Sequence, residues 1–79
     1  MITDAQIRMG RAALKWGVRD LARAARVSPA TVTRMEAGVA VNASTMQAVQ
    51  GVLEAAGVTF DLGAGSGPGA RMKEGESDG

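Results

Sequence analysis

Leu21-Ala22-Arg23-Ala24-Ala25-Arg26-Val27-Ser28-Pro29-Ala30-Thr31-Val32 is the stretch that decides how this chain reads. Its pattern is two short helices joined by a turn of about three residues. Ser28 followed by Pro29 is a helix start. The serine oxygen caps free amides, and proline suits the first helical position, where its missing N–H has no partner to lose. Ala22 is small, as a steep crossing of two short helices requires. Val27 is the apolar side chain that pins the turn to a core. Val32 supplies the inward residue of the second helix and leaves its opposite face free.

Working outward, the second helix spans about Val18 to Ala25, with Leu21, Ala22 and Ala25 on one face. The third carries Val32 and Met35 inward and closes at Gly38. Before them, Thr3 with Gln6 fits a capping box, and Ile7, Gly10, Ala13 and Leu14 recur at helical spacing. That first helix is predicted to run to about Trp16 and to be broken by Gly17. After Gly38, Val39 to Ala43 reads as a loop. Ser44 with Gln47 reads as a second capping box, opening a fourth helix with Met46, Val49, Val52, Leu53 and Ala56 inward and Gly57 at its end. Trp16, Met9, Met35 and Met46 read as core residues.

Beyond Gly57 the period changes. Val58-Thr59-Phe60-Asp61 alternates apolar and polar residues and is read as a short strand. The run from Gly63 to Gly69 is a Gly-rich connector. Ala70-Arg71-Met72-Lys73 can be a second strand pairing back, or disordered. The tail from Glu74 is expected to be disordered. The organisation expected is therefore a four-helix unit over 1–57, a strand or hairpin over 58–73 and a tail over 74–79.

The chain has 79 residues and contains neither His nor Cys. Imidazole bases, thiolate nucleophiles, disulfides and His- or Cys-ligated metals are therefore excluded. The carboxylates Asp4, Asp20, Glu36 and Glu54 are scattered over different helices, so neither paired-carboxylate catalysis nor a metal or cofactor site is expected. Trp16 and Phe60 are the only aromatics, too few to stack successive bases of a single strand. No apolar run reaches the ~20 residues of a membrane span. The N-terminus lacks the basic-then-apolar pattern of a signal peptide. A soluble cytoplasmic protein is expected. Its net charge of +1 hides an asymmetry: residues 1–60 carry seven basic against four acidic side chains, and the remainder two against four. Those seven, Arg8, Arg11, Lys15, Arg19, Arg23, Arg26 and Arg34, lie within 27 consecutive residues. Such a patch suits a polyanionic partner, the alternative for each charge being an ordinary solvated surface.

The order of these pieces resembles the helix-turn-helix family of phage Cro- and repressor-type regulators, the XRE class. The matching residues are Arg11-Ala12-Ala13-Leu14-Lys15-Trp16, Leu21-Ala22, Val27-Ser28, Val32-Thr33-Arg34-Met35-Glu36-Ala37-Gly38 and Thr45-Met46, within residues 6–57. The resemblance implies a mainly α, lambda-repressor-like domain of four helices. The tail is similar to that of small bacterial members, in which Ala55-Ala56-Gly57-Val58-Thr59-Phe60 and Gly67-Pro68-Gly69-Ala70-Arg71-Met72-Lys73 would form a C-terminal hairpin.

The resemblance also implies a function: a DNA-binding regulator of bacterial or mobile-element origin, with no enzymatic activity, repressing by covering an operator. The third helix would enter the major groove and present Pro29, Ala30, Thr33 and Arg34 to base edges, with Arg34 able to grip guanine bidentately. Family members often have Gln or Arg where Pro29 and Ala30 stand, so this face is sparse in hydrogen-bonding groups. Backbone contacts would come from Ser28, Thr31, Asn42, Arg8, Arg11, Lys15, Arg19, Arg23 and Arg26. The second helix would offer its N-terminal amides around Val18, where the family usually has Gln. The amides of Val39 to Val41 would meet the other strand. Arg11 would bridge to Glu36. Arg26 stands where the family commonly has Gly, and would need a left-handed backbone. A homodimer is expected, with Val58 and Phe60 packing across a two-fold axis because their strand lacks local partners. The rival reading is a protein-binding module, antitoxin- or antiactivator-like, using the same fold to hold a protein partner.

Overall fold

The computed structural model describes residues 2–61 and 69–72. It is mainly helical: α1 (Asp4–Ala13), α2 (Val18–Ala25), α3 (Pro29–Glu36) and α4 (Ala43–Ala55), followed by β1 (Val58–Asp61) and β2 (Gly69–Met72). The strands form an antiparallel pair with Val58 opposite Met72 and Asp61 opposite Gly69. The expected second strand thus exists, beginning one residue early at Gly69. Most of the Gly-rich connector, Lys73 and the tail lie outside the described residues.

Three of the four helices, α1, α3 and α4, start on a side-chain oxygen that accepts from a free amide of the first turn; α2 starts on Gly17, which offers no side chain. At α1 the Thr3–Gln6 capping box forms in both directions: Gln6 N–H donates to Thr3 Oγ1 at 3.2 Å and Thr3 N–H to Gln6 Oε1 at 2.9 Å. At α3, Ser28 Oγ accepts from Thr31 N–H at 3.1 Å. The start of α4 corrects the sequence reading. Asn42 is its N-cap, accepting from Thr45 N–H at 3.1 Å, so Ser44 and Gln47 lie inside the helix rather than forming a box. Asn42 wins because the same oxygen also accepts from Thr45 Oγ1 at 2.7 Å and Ser44 Oγ at 3.2 Å.

All four helices end on a residue with positive φ: Lys15 (60°), Arg26 (60°), Gly38 (84°) and Gly57 (107°). The carbonyls of the last turn are satisfied by the paired bonds that such a reversal permits. Trp16 N–H reaches Arg11 O and Lys15 N–H reaches Ala12 O; Val27 N–H reaches Ala22 O; Val39 N–H reaches Arg34 O. Arg26 is left-handed as the resemblance implied. Lys15 is a correction: α1 stops at Ala13, short of Trp16, and Gly17 has an ordinary φ of −81° as the N-cap of α2.

The core gathers Ile7, Leu21, Ala22, Ala25, Val32, Met35, Val49 and Leu53 from all four helices, with Ile2 and Val58 from outside them. Leu14, Trp16, Val27, Met46 and Val52 pack against it half-buried. Two expected core residues do not join. Met9 is 38% exposed, because two residues beyond Ile7 a helix has turned about 200°. Ala13 is exposed at the helix end.

α1 packs on α3, α4 and both strands. Gly10 lets β1 close in: a Cβ there would sit 3.4 Å from Val58 and 3.5 Å from Leu53 and Phe60. β1 therefore belongs to the same packed body as the helices. The premise that this strand lacks local partners does not hold. Val58 is 3% exposed within its own chain's core, and Phe60 is half-buried beside Gly10.

Candidate nucleic-acid interface

The exposed side of α3 follows from its phase. With Val32 and Met35 buried, Pro29, Ala30, Thr33 and Arg34 are all exposed. The four residues expected to meet bases thus share the outward face of one short helix. Its N-terminal turn is ordered by a chain of contacts: Ser28 Oγ to Thr31 Oγ1 at 2.9 Å, and Arg34 Nη2 donating to Thr31 Oγ1 at 3.4 Å. Ser28 and Thr31 therefore lie together beside Arg34, and their hydroxyls are engaged with each other.

The C-terminal end of α3 is held by α1. Arg11 makes a bidentate pair with Glu36, Nε to Oε2 at 2.6 Å and Nη2 to Oε1 at 2.9 Å, and its Nη1 donates to Trp16 O at 3.0 Å. The side chains are only 22% and 10% exposed. The Glu36 hydrogen bond raises the Arg11 pKa above its ordinary value, so this guanidinium is charged at every accessible pH.

Arg8 is drawn into the same assembly. Its Nη1 donates to Asp4 Oδ2 at 3.1 Å and also to the Glu36 carbonyl oxygen. The Arg8 bond holds the exposed Asp4 carboxyl below its ordinary pKa. A depressed carboxyl favours the fold above its unfolded pKa and loses that contribution as pH falls through the folded value, so the pair is intact across the neutral range. Arg8, expected at a phosphate, is exposed and also ties α1 to the end of α3.

The N-terminus of α2 also differs from expectation. The Gly17 amide donates to Asp20 Oδ2 at 2.7 Å, so one of the amides expected to face a phosphate already has a carboxylate. Val18 follows it, half-buried. Asn42 uses its side-chain oxygen to cap α4, and Val39 uses its amide on Arg34 O at 3.0 Å. The Val39 amide is thus occupied within the chain, whereas Asn42 is exposed and the cap engages only its acceptor oxygen.

Sequence reasoning missed three of these partners. Asp20 was legible as the reciprocal half of a capping box, three residues after Gly17. Asp4–Arg8 was legible as an i,i+4 pair. The Arg8 bond to the Glu36 carbonyl, across 28 residues, left no local signal.

Among the described residues the ion pairs are Arg8–Asp4 and Arg11–Glu36. Lys15, Arg19, Arg23, Arg26 and Arg34 are exposed and form none. The cationic potential of residues 2–60 is therefore concentrated on α2, the two turns flanking it, and α3. Among the described residues no three His, Cys, Asp or Glu side chains are gathered to hold a metal, and no helix is long and apolar enough to cross a membrane. No family model, no curated protein and no solved structure matches the chain.

Proposed function

We propose that this chain is a sequence-specific double-stranded-DNA-binding regulator, in which α2, the 26–28 turn and α3 act as a helix-turn-helix. α3 enters the major groove with Arg34 and Thr33 toward base edges and Ala30 and Pro29 in apolar contact, as toward a thymine methyl. Ser28, Thr31, Lys15, Arg19, Arg23 and Arg26 supply phosphate contacts. The protein represses by covering its operator in the bacterial cytoplasm, as a homodimer reading two half-sites. No catalytic step is involved.

The observation that carries this reading is the outward face of α3. Four exposed residues, Arg34 among them, lie on a helix fixed at its far end by the Arg11–Glu36 pair, and Lys15, Arg19, Arg23 and Arg26 are four further exposed basic side chains that no described acid neutralises. Only Thr33 and Arg34 can hydrogen-bond from that face, so DNA shape contributes much of the specificity. Val58 is spent on the chain's own core, so the dimer contact falls to the remaining surface of Phe60 and its surroundings.

Amide chemical-shift mapping with a duplex oligonucleotide tests the proposal. The expected outcome is perturbation centred on residues 28–34 and 17–19. Perturbation confined to α4 and the strands, or a response only to a protein ligand, would overturn it in favour of a protein-binding module.

A further inference from the structure

Of the basic side chains that form no ion pair among the described residues, Arg34 alone is tied to another side chain. Its Nη2 donates to Thr31 Oγ1 at 3.4 Å, and Thr31 Oγ1 lies 2.9 Å from Ser28 Oγ. Ser28 Oγ also accepts from Thr31 N–H at 3.1 Å. The three residues are spaced at i, i+3 and i+6, so they form one row running from the N-cap along α3.

The charge on Arg34 gives this row a direction. A guanidinium only donates, so Thr31 Oγ1 is the acceptor of that bond. Hydroxyl dipoles beside a cation turn their protons away from it. The Thr31 proton therefore goes to Ser28 Oγ, which the Thr31 amide already holds in place. Bonds in such a chain polarise and strengthen one another.

The consequence is one of position. Arg34 is the sixth of the eight residues of α3, whereas a recognition helix meets base edges with its N-terminal residues. Bonding to Thr31, three residues back, draws the guanidinium about 4.5 Å along the axis toward that end, at 1.5 Å per residue. One donor is spent on Thr31, and the guanidinium's other N–H groups are left to grip a base. The tie also restricts a long stem before DNA is met, which lowers the ordering cost of docking it.

We propose that Thr31 is a positioning residue for Arg34. Its hydroxyl, anchored on Ser28, holds the guanidinium ready for one base and so sets sequence discrimination without touching that base. This rests on the DNA-binding reading above and adds to it a residue that acts through Arg34. The share of Thr31 in the phosphate contact then passes through Ser28, whose own hydroxyl proton is left for an outside acceptor.

The test selects bound sequences from a random double-stranded library with the full-length wild type and with Thr31→Val, Thr31→Ser, Arg34→Ala and the double variant T31V/R34A. The base position that Arg34→Ala relaxes identifies its contact. At that position Thr31→Val should lower the preference for the favoured base about 3- to 10-fold, as expected for the loss of one hydrogen bond. Thr31→Ser retains the hydroxyl and should retain the preference. With Arg34 already replaced by Ala, Thr31→Val should change nothing further at that position. The preference is a ratio among bound sequences, so a variant that is merely less stable should leave it unmoved, and melting curves record any such loss separately. A Thr31→Val variant that keeps the wild-type preference at the Arg34 position overturns the positioning role and leaves the DNA reading standing. An equal loss in the Val and Ser variants does the same. A library enriched by neither the wild type nor any variant overturns both.

Discussion

Lys15 and Arg26 hold the same backbone position at the ends of α1 and α2, and both carry a β-carbon at φ 60°. Each reversal closes its helix in the same way, with Trp16 N–H on Arg11 O at 3.1 Å and Val27 N–H on Ala22 O at 3.0 Å. The left-handed conformation costs an L-residue roughly 1–2 kcal/mol. Glycine removes that cost, but gives back about 0.4–1 kcal/mol through the greater freedom of the unfolded chain. Both side chains are exposed and neither makes an ion pair, so truncating them forfeits little packing. Lys15→Gly and Arg26→Gly should therefore each stabilise by about 0.5–1 kcal/mol. The two turns share no hydrogen-bond partner, so the effects should add. For a domain of this size 1 kcal/mol moves the midpoint by about 4–8 °C, so the double variant should melt roughly 4–15 °C higher. Differential scanning calorimetry on the two singles and the double provides the check. A double variant that melts at or below the wild-type temperature would refute the strain argument. The pair also separates strain from charge. Arg26→Gly should lower the salt slope of DNA binding by about 0.9, in addition to raising the midpoint.

Three further outcomes are expected. Glu36→Ala leaves a half-buried Arg11 guanidinium without its bidentate partner, and should cost about 2–3 kcal/mol in urea denaturation; a loss below about 0.5 kcal/mol would mean the pair is a surface contact. Val58→Ala removes two buried methyl groups from the core and should cost about 2 kcal/mol, and truncation after Gly57 should destabilise the monomer itself; an unchanged melt of the truncated chain would contradict the packing of β1 on α1. Gly51 is exposed in the middle of α4, and a Cβ added there would meet no atom within 4 Å, so Gly51→Ala should stabilise by about 0.5–1 kcal/mol in the same denaturation assay.

What the sequence made legible was local. The Thr3–Gln6 box, the Ser28–Pro29 start, the closing glycines 38 and 57 and the inward residues of α2 and α3 all follow from short-range rules, and each stands where those rules put it. The errors arose where two local signals competed. Asn42 and Ser44 are both good caps, and only the extra bonds from Ser44 and Thr45 to the Asn42 oxygen decide between them. Gly17 looked like the break after α1, yet the chain reverses earlier at Lys15, because α2 needs Gly17 as its own N-cap. The least legible feature was tertiary. Nothing near Val58 announces that Gly10, 48 positions earlier, leaves room for it. In the candidate site, the α3 face could be read from helical phase alone. The fates of Arg8 and Asp20 depended on which group reached them first.

The central claim is that α3 reads duplex DNA. Selection of bound sequences from a random double-stranded library by the full-length protein tests it most directly. The account predicts an enriched motif arranged as an inverted repeat, with half-sites about one helical turn apart. It also predicts that Arg34→Ala, selected in parallel, relaxes one position in each half-site. A library that returns with no enrichment, or one enriched identically by wild type and by a variant altered at both Thr33 and Arg34, would contradict it.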